Sequence, residues 1–132
     1  PIPGAGSDDA AAAIRLLDLG ADEFTRNRPH PMIDPEPRET MLRQMLGDPT
    51  VRVVLLDVLL GYGAHPDPAG GIAQAIDAST GRRPVVIASV TGTEEDPQIH
   101  SEQVSALTRA GVRVAPSNAV AAEWTLGILN SA

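Results

Sequence analysis

The sequence predicts a three-layer α/β domain in which a parallel sheet of about four strands carries helices on both faces. Three short apolar runs rich in β-branched residues have the pattern of strands that are buried on both sides. Each run is followed by a cluster of glycine, proline or asparagine and then by a helical pattern. Strands and helices that alternate in this order are typical of a parallel sheet, because parallel strands need crossover connections.

The boundaries of the elements follow from the same patterns. The predicted strands are residues 51–60, 84–90 and 112–115. The predicted helices are residues 35–46, 69–78, 98–110 and 119–129. Pro35 or Pro37 fits the first turn of the first helix, where a missing N–H costs nothing. Gly111 ends the third helix, and Ser117 or Asn118 is placed to cap the fourth.

The segment before these elements allows two interpretations. The segment Ser7-Asp8-Asp9 and the alanines after it resemble a capped helix that ends at Gly20. Residues 14–19 (IRLLDL) have instead the pattern of a strand, which we favour, with a short helical turn before it. The chain is therefore divided into a lead-in of residues 1–13 and a single domain of residues 14–132.

Composition excludes several classes of protein. A chain of 132 residues with 42% hydrophobic content can form one core, and at 2% aromatic content that core consists of Ala, Val, Leu and Ile. No apolar run approaches the ~20 residues of a bilayer span, and the first residues lack a signal-peptide pattern. The absence of cysteine excludes disulfides, thiolate nucleophiles and zinc–thiolate sites, and it favours the reducing cytoplasm.

The charged residues restrict which partners the chain can bind and which reactions it can catalyse. The net charge of −7 disfavours nucleic acid and anionic membranes, so we expect neither as a partner. All ten basic residues are arginine, and without lysine the chain has no Schiff-base chemistry and no Walker P-loop.

Asp57 lies within an apolar strand, so it is either at the ligand crevice or hydrogen-bonded in the core. A receiver-type phospho-acceptor is excluded, because that chemistry needs a partner lysine.

Three loops at the carboxyl ends of predicted strands are the candidate ligand site, because open parallel sheets bind ligands there. The first, residues 26–35 (RNRPHPMIDP), contains the candidates Arg28, His30 and Asp34. Two prolines fix the backbone around His30, and such a preorganised set could hold an anion or perform acid–base chemistry. The alternative is a rigid turn in which Asp34 caps a helix and His30 bonds to the backbone.

The second loop, residues 61–69 (GYGAHPDPA), contains the candidates Gly61, Gly63 and His65. The two glycines let the backbone approach a ligand, and the next helix offers free N–H groups. The third glycine of a dinucleotide fingerprint is absent, so this signal is weak. His65 and Asp67 have a spacing that could suit a metal, but ordinary turn chemistry is favoured and we expect no metal.

The third loop, residues 91–98 (TGTEEDPQ), contains the candidates Thr91, Gly92 and Thr93. Their hydroxyls and flexible backbone lie before a helix and suit a phosphate or a carboxylate. The acidic residues 94–96 would repel such an anion unless they point to solvent or complement the helix dipole. The alternative is therefore a solvated acidic turn. No residue of the chain is assigned a catalytic role from these patterns.

Four segments resemble, in order, the carboxyl-terminal part of the FdrA family: LLDLGADEFTRNRPHPMIDPEPR, DPTVRVVLLDVLLGYGAHPDPA, VTGTEEDPQ and AGVRVAPSNAVAA. The resemblance runs from about Ile14 to about Leu129. Members of that family are acyl-CoA-synthetase-like and related to the α subunit of succinyl-CoA synthetase. The resemblance implies a flavodoxin-like or Rossmann-like ligase domain. It also implies a subunit of oxamate carbamoyltransferase in purine and allantoin catabolism, which exchanges carbamoyl phosphate and oxamate with oxalurate and phosphate.

The chain also departs from the family's pattern. It has no counterpart of the CoA-binding-like domain or of the first strand and helix of the ligase domain. TGTEEDPQIH stands where the superfamily has a Gly-His-Ala-Gly phosphohistidine loop. We therefore expect this chain alone to bind no CoA or nucleotide, since those sites would lie on the missing domains. His100 is expected to be a surface or capping residue without a covalent role.

The resemblance also predicts partners. We expect other domains or subunits of the same enzyme, and a small carboxylate or phosphate as the ligand. A homodimer is expected as well, because a sheet without the family's first strand exposes an edge and exposed edges invite pairing. The rival hypothesis is a non-catalytic assembly module, whose loops are rigid docking surfaces.

Overall fold

The computed structural model describes residues 36–81 and 83–130. The helices are α1 (Glu36–Leu46), α2 (Pro68–Ala78), α3 (His100–Arg109) and α4 (Asn118–Asn130). The strands are β1 (Val53–Leu59), β2 (Val85–Thr91) and β3 (Arg113–Ala115). Along the chain, α1 precedes β1, and each later helix follows a strand.

The described strands form one parallel sheet in the order β1-β2-β3. Val53 pairs with Val85 and Leu59 with Thr91, so β1 and β2 are aligned over their full lengths. The α/β fold class with a parallel sheet is thereby confirmed, with three strands in the described part of the chain. The fourth predicted strand, residues 14–19, lies outside the described residues.

One face of the sheet is covered by α1, α2 and α3, and we call it the three-helix face. Side chains at even positions of β1 and β2 point to it, among them Val54, Val58 and Val86. Each of the three helices contributes one fully buried side chain to this core: Leu42 from α1, Ile72 from α2 and Leu107 from α3. This is the main core of the described chain.

The other face is covered by α4 among the described helices, and we call it the one-helix face. Ile87, Ala115 and Ala121 are buried there, with Val53 and Val85 packed against them. Sheet layers between helices on both sides confirm the predicted three-layer architecture. The covering is uneven, since Leu55 and Leu59 of β1 remain 43% and 42% exposed on this face.

The predicted boundaries are accurate to one or two residues. The largest differences are two residues each: β1 begins at Val53 and not at residue 51, and α3 begins at His100 and not at residue 98. Ser117 Oγ accepts from the N–H of Val120, so Ser117 caps α4 as one of the two predicted possibilities. Gly111 has φ of 96° after α3, as a C-terminal glycine requires.

The helices of the described part are short. The longest, α4, has 13 residues. No helix among the described residues is long and apolar enough to cross a membrane.

Candidate functional site

Two of the three predicted loops meet at the carboxyl edge of the sheet. We call residues 61–67 the glycine loop and residues 92–99 the acidic loop. They leave adjacent strands, and the N–H of Leu60 donates to Thr91 O over 2.9 Å where the two strands end. The predicted candidates Gly61, Gly63, His65, Thr91, Gly92 and Thr93 therefore lie at one edge. Arg28, His30 and Asp34 lie outside the described residues, and their roles stay predictions.

Gln98 fastens the acidic loop to the glycine loop. Its side chain is only 3% exposed. Nε2 donates to Gly61 O (2.9 Å) and to His65 O (3.0 Å), and Oε1 accepts from the N–H of Gly61 (3.0 Å). One amide thus satisfies three backbone groups of the glycine loop. The sequence placed Gln98 in a helix and missed this role.

Glycine is required at three positions of these loops, for two reasons. Gly61 and Gly63 have φ of 149° and 87°, a region that other residues rarely adopt. At Gly92 the reason is space, because a Cβ there would lie 2.6 Å from Leu60 Cβ. The glycines fix the path of the two loops.

The N-terminus of α2 is occupied by the protein's own side chains. Asp67 Oδ1 accepts from the N–H of Gly70 (3.1 Å) and from Gln103 Nε2 (3.0 Å). Gln103, 5% exposed, also accepts from the N–H of Ala69 through Oε1 (2.9 Å). His65 Nδ1 accepts from the N–H of Asp67 (3.0 Å), which places the proton of a neutral ring on Nε2.

The N-terminus of α3 is occupied in the same way. Glu94 accepts from the N–H of Ser101 through Oε1 (2.8 Å) and from its hydroxyl through Oε2 (2.9 Å). Asp96 Oδ2 accepts from the N–H of Thr93 (2.6 Å) and lies 3.3 Å from its hydroxyl. Two members of the acidic triplet therefore bind donors that an anionic ligand would use, which is favourable beside the positive end of a helix dipole.

These capped helices determine what the edge can bind. Asp67 and Glu94 already accept from donors at the two helix N-termini, so a phosphate that bound there would have to displace a carboxylate of the chain. Among hydrogen bonds between described residues, the N–H groups of Tyr62 and Gly63 and the hydroxyl of Thr91 are not used. No group of three His, Asp or Glu side chains that could hold a metal ion occurs in the described part. The part of this edge that is available to a ligand is therefore a small surface of hydrogen-bonding groups.

His100 is the first residue of α3 and is half-buried. Its Nε2 lies 3.1 Å from Val90 O, and since a carbonyl only accepts, Nε2 donates. Ile99, just before it, has an unusual φ of 58° for a β-branched residue. The ring is thus fixed to the end of β2. Its lack of a covalent role stays a prediction.

Asp57 lies on the one-helix face, away from the two loops. Ser89 Oγ donates to its Oδ1 over 2.6 Å, and the Asp57 side chain is otherwise exposed. Arg38 Nη1 of α1 lies 3.4 Å from Asp57 O, and Arg38 Nε is buried without a hydrogen-bond partner among the described residues. Burial lowers the pKa of Arg38, and the carboxylate of Glu39 partly offsets this effect.

Comparison with known proteins covers nearly the whole chain. A family model described as CoA-ligase matches residues 7–128. Over 109 residues the chain is 42% identical to "Uncharacterized protein YahF" of Escherichia coli (strain K12). That alignment covers 78% of this chain and 21% of the relative. The chain therefore spans about a fifth of the length of the curated relative it matches.

Proposed function

Since this chain belongs to the CoA-ligase family, we propose that it is the ligase-type domain of an FdrA-type, acyl-CoA-synthetase-like enzyme. The observation that carries the proposal is the family match over residues 7–128, which includes the glycine loop, the acidic loop and the sequence of residues 26–35. The FdrA assignment rests on the segments RPHPMIDP, GYGAHPDPA and TGTEEDPQ. The partners proposed for the domain are the other domains or subunits of that enzyme.

The proposed reaction is carbamoyl transfer between carbamoyl phosphate and oxamate. The amide nitrogen of oxamate attacks the carbamoyl carbon, a C–N bond forms and the C–O bond to phosphate breaks. The products are oxalurate and inorganic phosphate, and the proton lost by nitrogen goes to phosphate. Both substrates are small anions, so the domain's part in the reaction is to bind and orient an anionic group.

The residues proposed to bind that group surround the glycine loop. The N–H groups of Tyr62 and Gly63 and the hydroxyl of Thr91 supply donors at the edge. Arg28 would supply the positive charge, because Glu94 and Asp96 make the rest of the edge acidic. Gln98 acts as a positioning residue that holds Gly61 and His65. CoA and nucleotide are assigned to other parts of the enzyme.

A second candidate function is a non-catalytic assembly module, and a specific observation favours it. The donors at both helix N-termini are satisfied within the chain by Asp67 and Glu94. Loops closed in this way are rigid, which is what a docking surface needs. In that case no small anion binds the edge.

Ligand-dependent thermal stability separates the two functions. A ligand that binds the folded state at 100 times its Kd adds about 2.7 kcal/mol to the free energy of unfolding. We expect phosphate, carbamoyl phosphate, oxamate or oxalurate to raise the melting temperature of the chain. Gly63→Ala should abolish that rise.

Gly81→Ala is the matched control. Gly81 has φ of 78° and an open environment like that of Gly63, so both variants strain the backbone to a similar extent. Gly81→Ala should lower the melting temperature and keep the ligand effect. If no anion raises the melting temperature of the unmodified chain, the binding role is wrong and the assembly module is favoured.

The homodimer is also retained as a proposal. The backbone bonds of Arg52 and Leu60 with β2 leave the N–H and C=O groups of the odd positions of β1 pointing to an edge where no other described strand pairs and where Arg38 donates to Asp57 O. Such an edge invites pairing with a second copy. Light scattering at high micromolar concentration should give twice the mass of the chain, and a monomer would contradict this.

A further inference from the structure

The uneven covering of the one-helix face is the feature left unexplained by the proposed function. Parallel sheets are normally covered on both faces, because their strands are apolar on both sides. Leu55 and Leu59 are leucines in such a strand, yet 43% and 42% of their surfaces are exposed. Their neighbours at even positions, Val54 and Val58, are 3% and 0% exposed. The row of Leu55, Asp57 and Leu59, which we call the open row, therefore lacks a cover among residues 36–81 and 83–130.

The shape of the open row suits one helix. Four residues of strand rise about 13 Å from Leu55 to Leu59, which is between two and three helical turns. α4 packs against all three strands and sits on Val53 and Val85, at the amino half of this face. Packed helices lie about 8–10 Å apart, so a helix on the open row would contact a flank of α4. Trp124 and Leu126 of α4 are 40% and 51% exposed, and Trp124 is the one closer to the buried side of the helix, about 60° from Ala121.

The charge of the open row restricts what can cover it. Asp57 lies in its middle, and only Oδ1 has a hydrogen-bond donor, from Ser89. A purely apolar cover would bury the carboxylate without a counter-charge, which is strongly unfavourable. The occupant must bring apolar side chains for the two leucines and a cation for Asp57.

We propose that the open row docks an amphipathic helix that carries an arginine or lysine opposite Asp57. The helix belongs to the part of the enzyme polypeptide that this chain does not contain. The length comparison supports this source, since the chain aligns with 21% of its relative from Escherichia coli and four-fifths of that protein lie outside the alignment. The inference rests on the proposed function, because it needs the chain to be a domain of a larger enzyme.

Hydroxyl-radical footprinting tests the inference on side chains directly. Two proteins are compared: the isolated chain, and the full-length relative in which the aligned 109 residues are replaced by this chain. Leu55 and Leu59 should be oxidised in the isolated chain and at least tenfold less in the full-length protein. Leu42, which is 0% exposed, should stay unlabelled in both and serves as the reference.

Substitutions in the full-length protein sharpen the test. Leu59→Arg should return the labelling of Leu55 to the level of the isolated chain, because the new arginine repels the arginine or lysine of the docked helix. Asp57→Asn should raise that labelling about threefold, with less dependence on salt. Gln74→Arg adds the same charge at an exposed position of α2 and should change nothing. All variants lie at exposed positions, so circular dichroism should show an unchanged fold.

Three results would overturn the inference. Equal labelling of the open row in both proteins would show that no helix covers it. Protection in an isolated chain that is dimeric by light scattering would make a second copy the occupant. Protection in a monomeric isolated chain would make residues 1–35 the occupant. The carbamoyl-transfer assay is independent: activity with a labelled open row refutes only this inference, and a protected row without activity refutes only the proposed reaction.

Discussion

The two faces of the sheet differ in how far the chain covers them, although the same strands form both. On the three-helix face Leu42, Ile72 and Leu107 are fully buried, and with Val58 they form a continuous core. On the one-helix face the carboxyl half of β1 is open. The run VRVVLLDVLL is apolar on both sides, which is the pattern of a strand buried on both faces. The comparison indicates that most of the described core stabilises the fold from the three-helix face, and assembly is the role that we propose for the open part of the other face.

The largest expected difference in stability is between truncating a leucine on the three-helix face and truncating one on the one-helix face. Leu42→Ala should lower the free energy of unfolding by about 2–5 kcal/mol, because it leaves a cavity among fully buried side chains. Leu59→Ala should lower it by only about 1 kcal/mol or less in the isolated chain, since Leu59 is 42% exposed. Urea unfolding measures both values. Equal losses would mean that the two faces contribute alike.

Loss of the hydrogen bonds that Gln98 makes between the acidic loop and the glycine loop should have the next largest effect on stability. Gln98→Ala leaves the carbonyl of His65 and the N–H of Gly61 without partners, at about 1–3 kcal/mol for a buried group, while Gly61 O keeps the N–H of Ala64. Gln74→Ala, on an exposed helical surface, should be neutral or slightly stabilising. Hydrogen exchange should also show that Gln98→Ala loosens the glycine loop. An unchanged exchange rate at Gly61 would contradict the proposed positioning role.

Alanine substitutions at a glycine of the acidic loop and at a glycine of α4 should change the free energy of unfolding with opposite signs. Gly92→Ala brings a Cβ to 2.6 Å from Leu60 Cβ and should cost about 1–3 kcal/mol. Gly127 lies inside α4, and a Cβ there would meet no atom within 4 Å. Gly127→Ala should therefore stabilise the chain by about 0.5–1 kcal/mol. Thermal unfolding distinguishes the two, and a loss at Gly127 would show that the flank of α4 is more crowded than described.

The smallest effect concerns the turn between α1 and β1. The hydroxyl and N–H of Thr50 donate to Asp48 Oδ1 and lower the pKa of that exposed carboxyl. A lowered folded-state pKa adds stability above the unfolded value of about 3.9, and this is lost as pH falls through the folded value. Asp48→Asn should remove that part of the acid dependence. Identical urea midpoints against pH for both proteins between pH 5 and 3 would contradict it.

The sequence predicted the elements well because their signals are local. The β-branched runs of β1 and β2, the cap at Ser117 and the positive φ of Gly111 all follow from neighbouring residues. Gln98 could not be assigned in this way. Its contacts with Gly61 and His65 span 37 and 33 residues, and in sequence it looks like the start of a helix.

The candidate site was predicted in place but not in detail. The glycine and acidic loops do meet at the carboxyl edge, as the parallel order of the strands requires. The sequence predicts free N–H groups at the N-terminus of α2, and acidic residues 94–96 that face solvent or complement the dipole of α3. Glu94 does complement that dipole, by reaching seven residues along the chain to Ser101. At α2, in contrast, Gln103 crosses to accept from the N–H of Ala69. Such pairings depend on tertiary packing, for which composition and spacing carry no signal.

Oxamate-dependent release of phosphate from carbamoyl phosphate is the most direct test of the proposed role. The protein to use is the full-length relative that carries this chain in place of its aligned region, with Gly63→Ala and the matched Gly81→Ala as variants. We predict release that requires oxamate, is lost in Gly63→Ala and is retained in Gly81→Ala. No release in any of these proteins, or equal release with and without oxamate, would contradict the assignment.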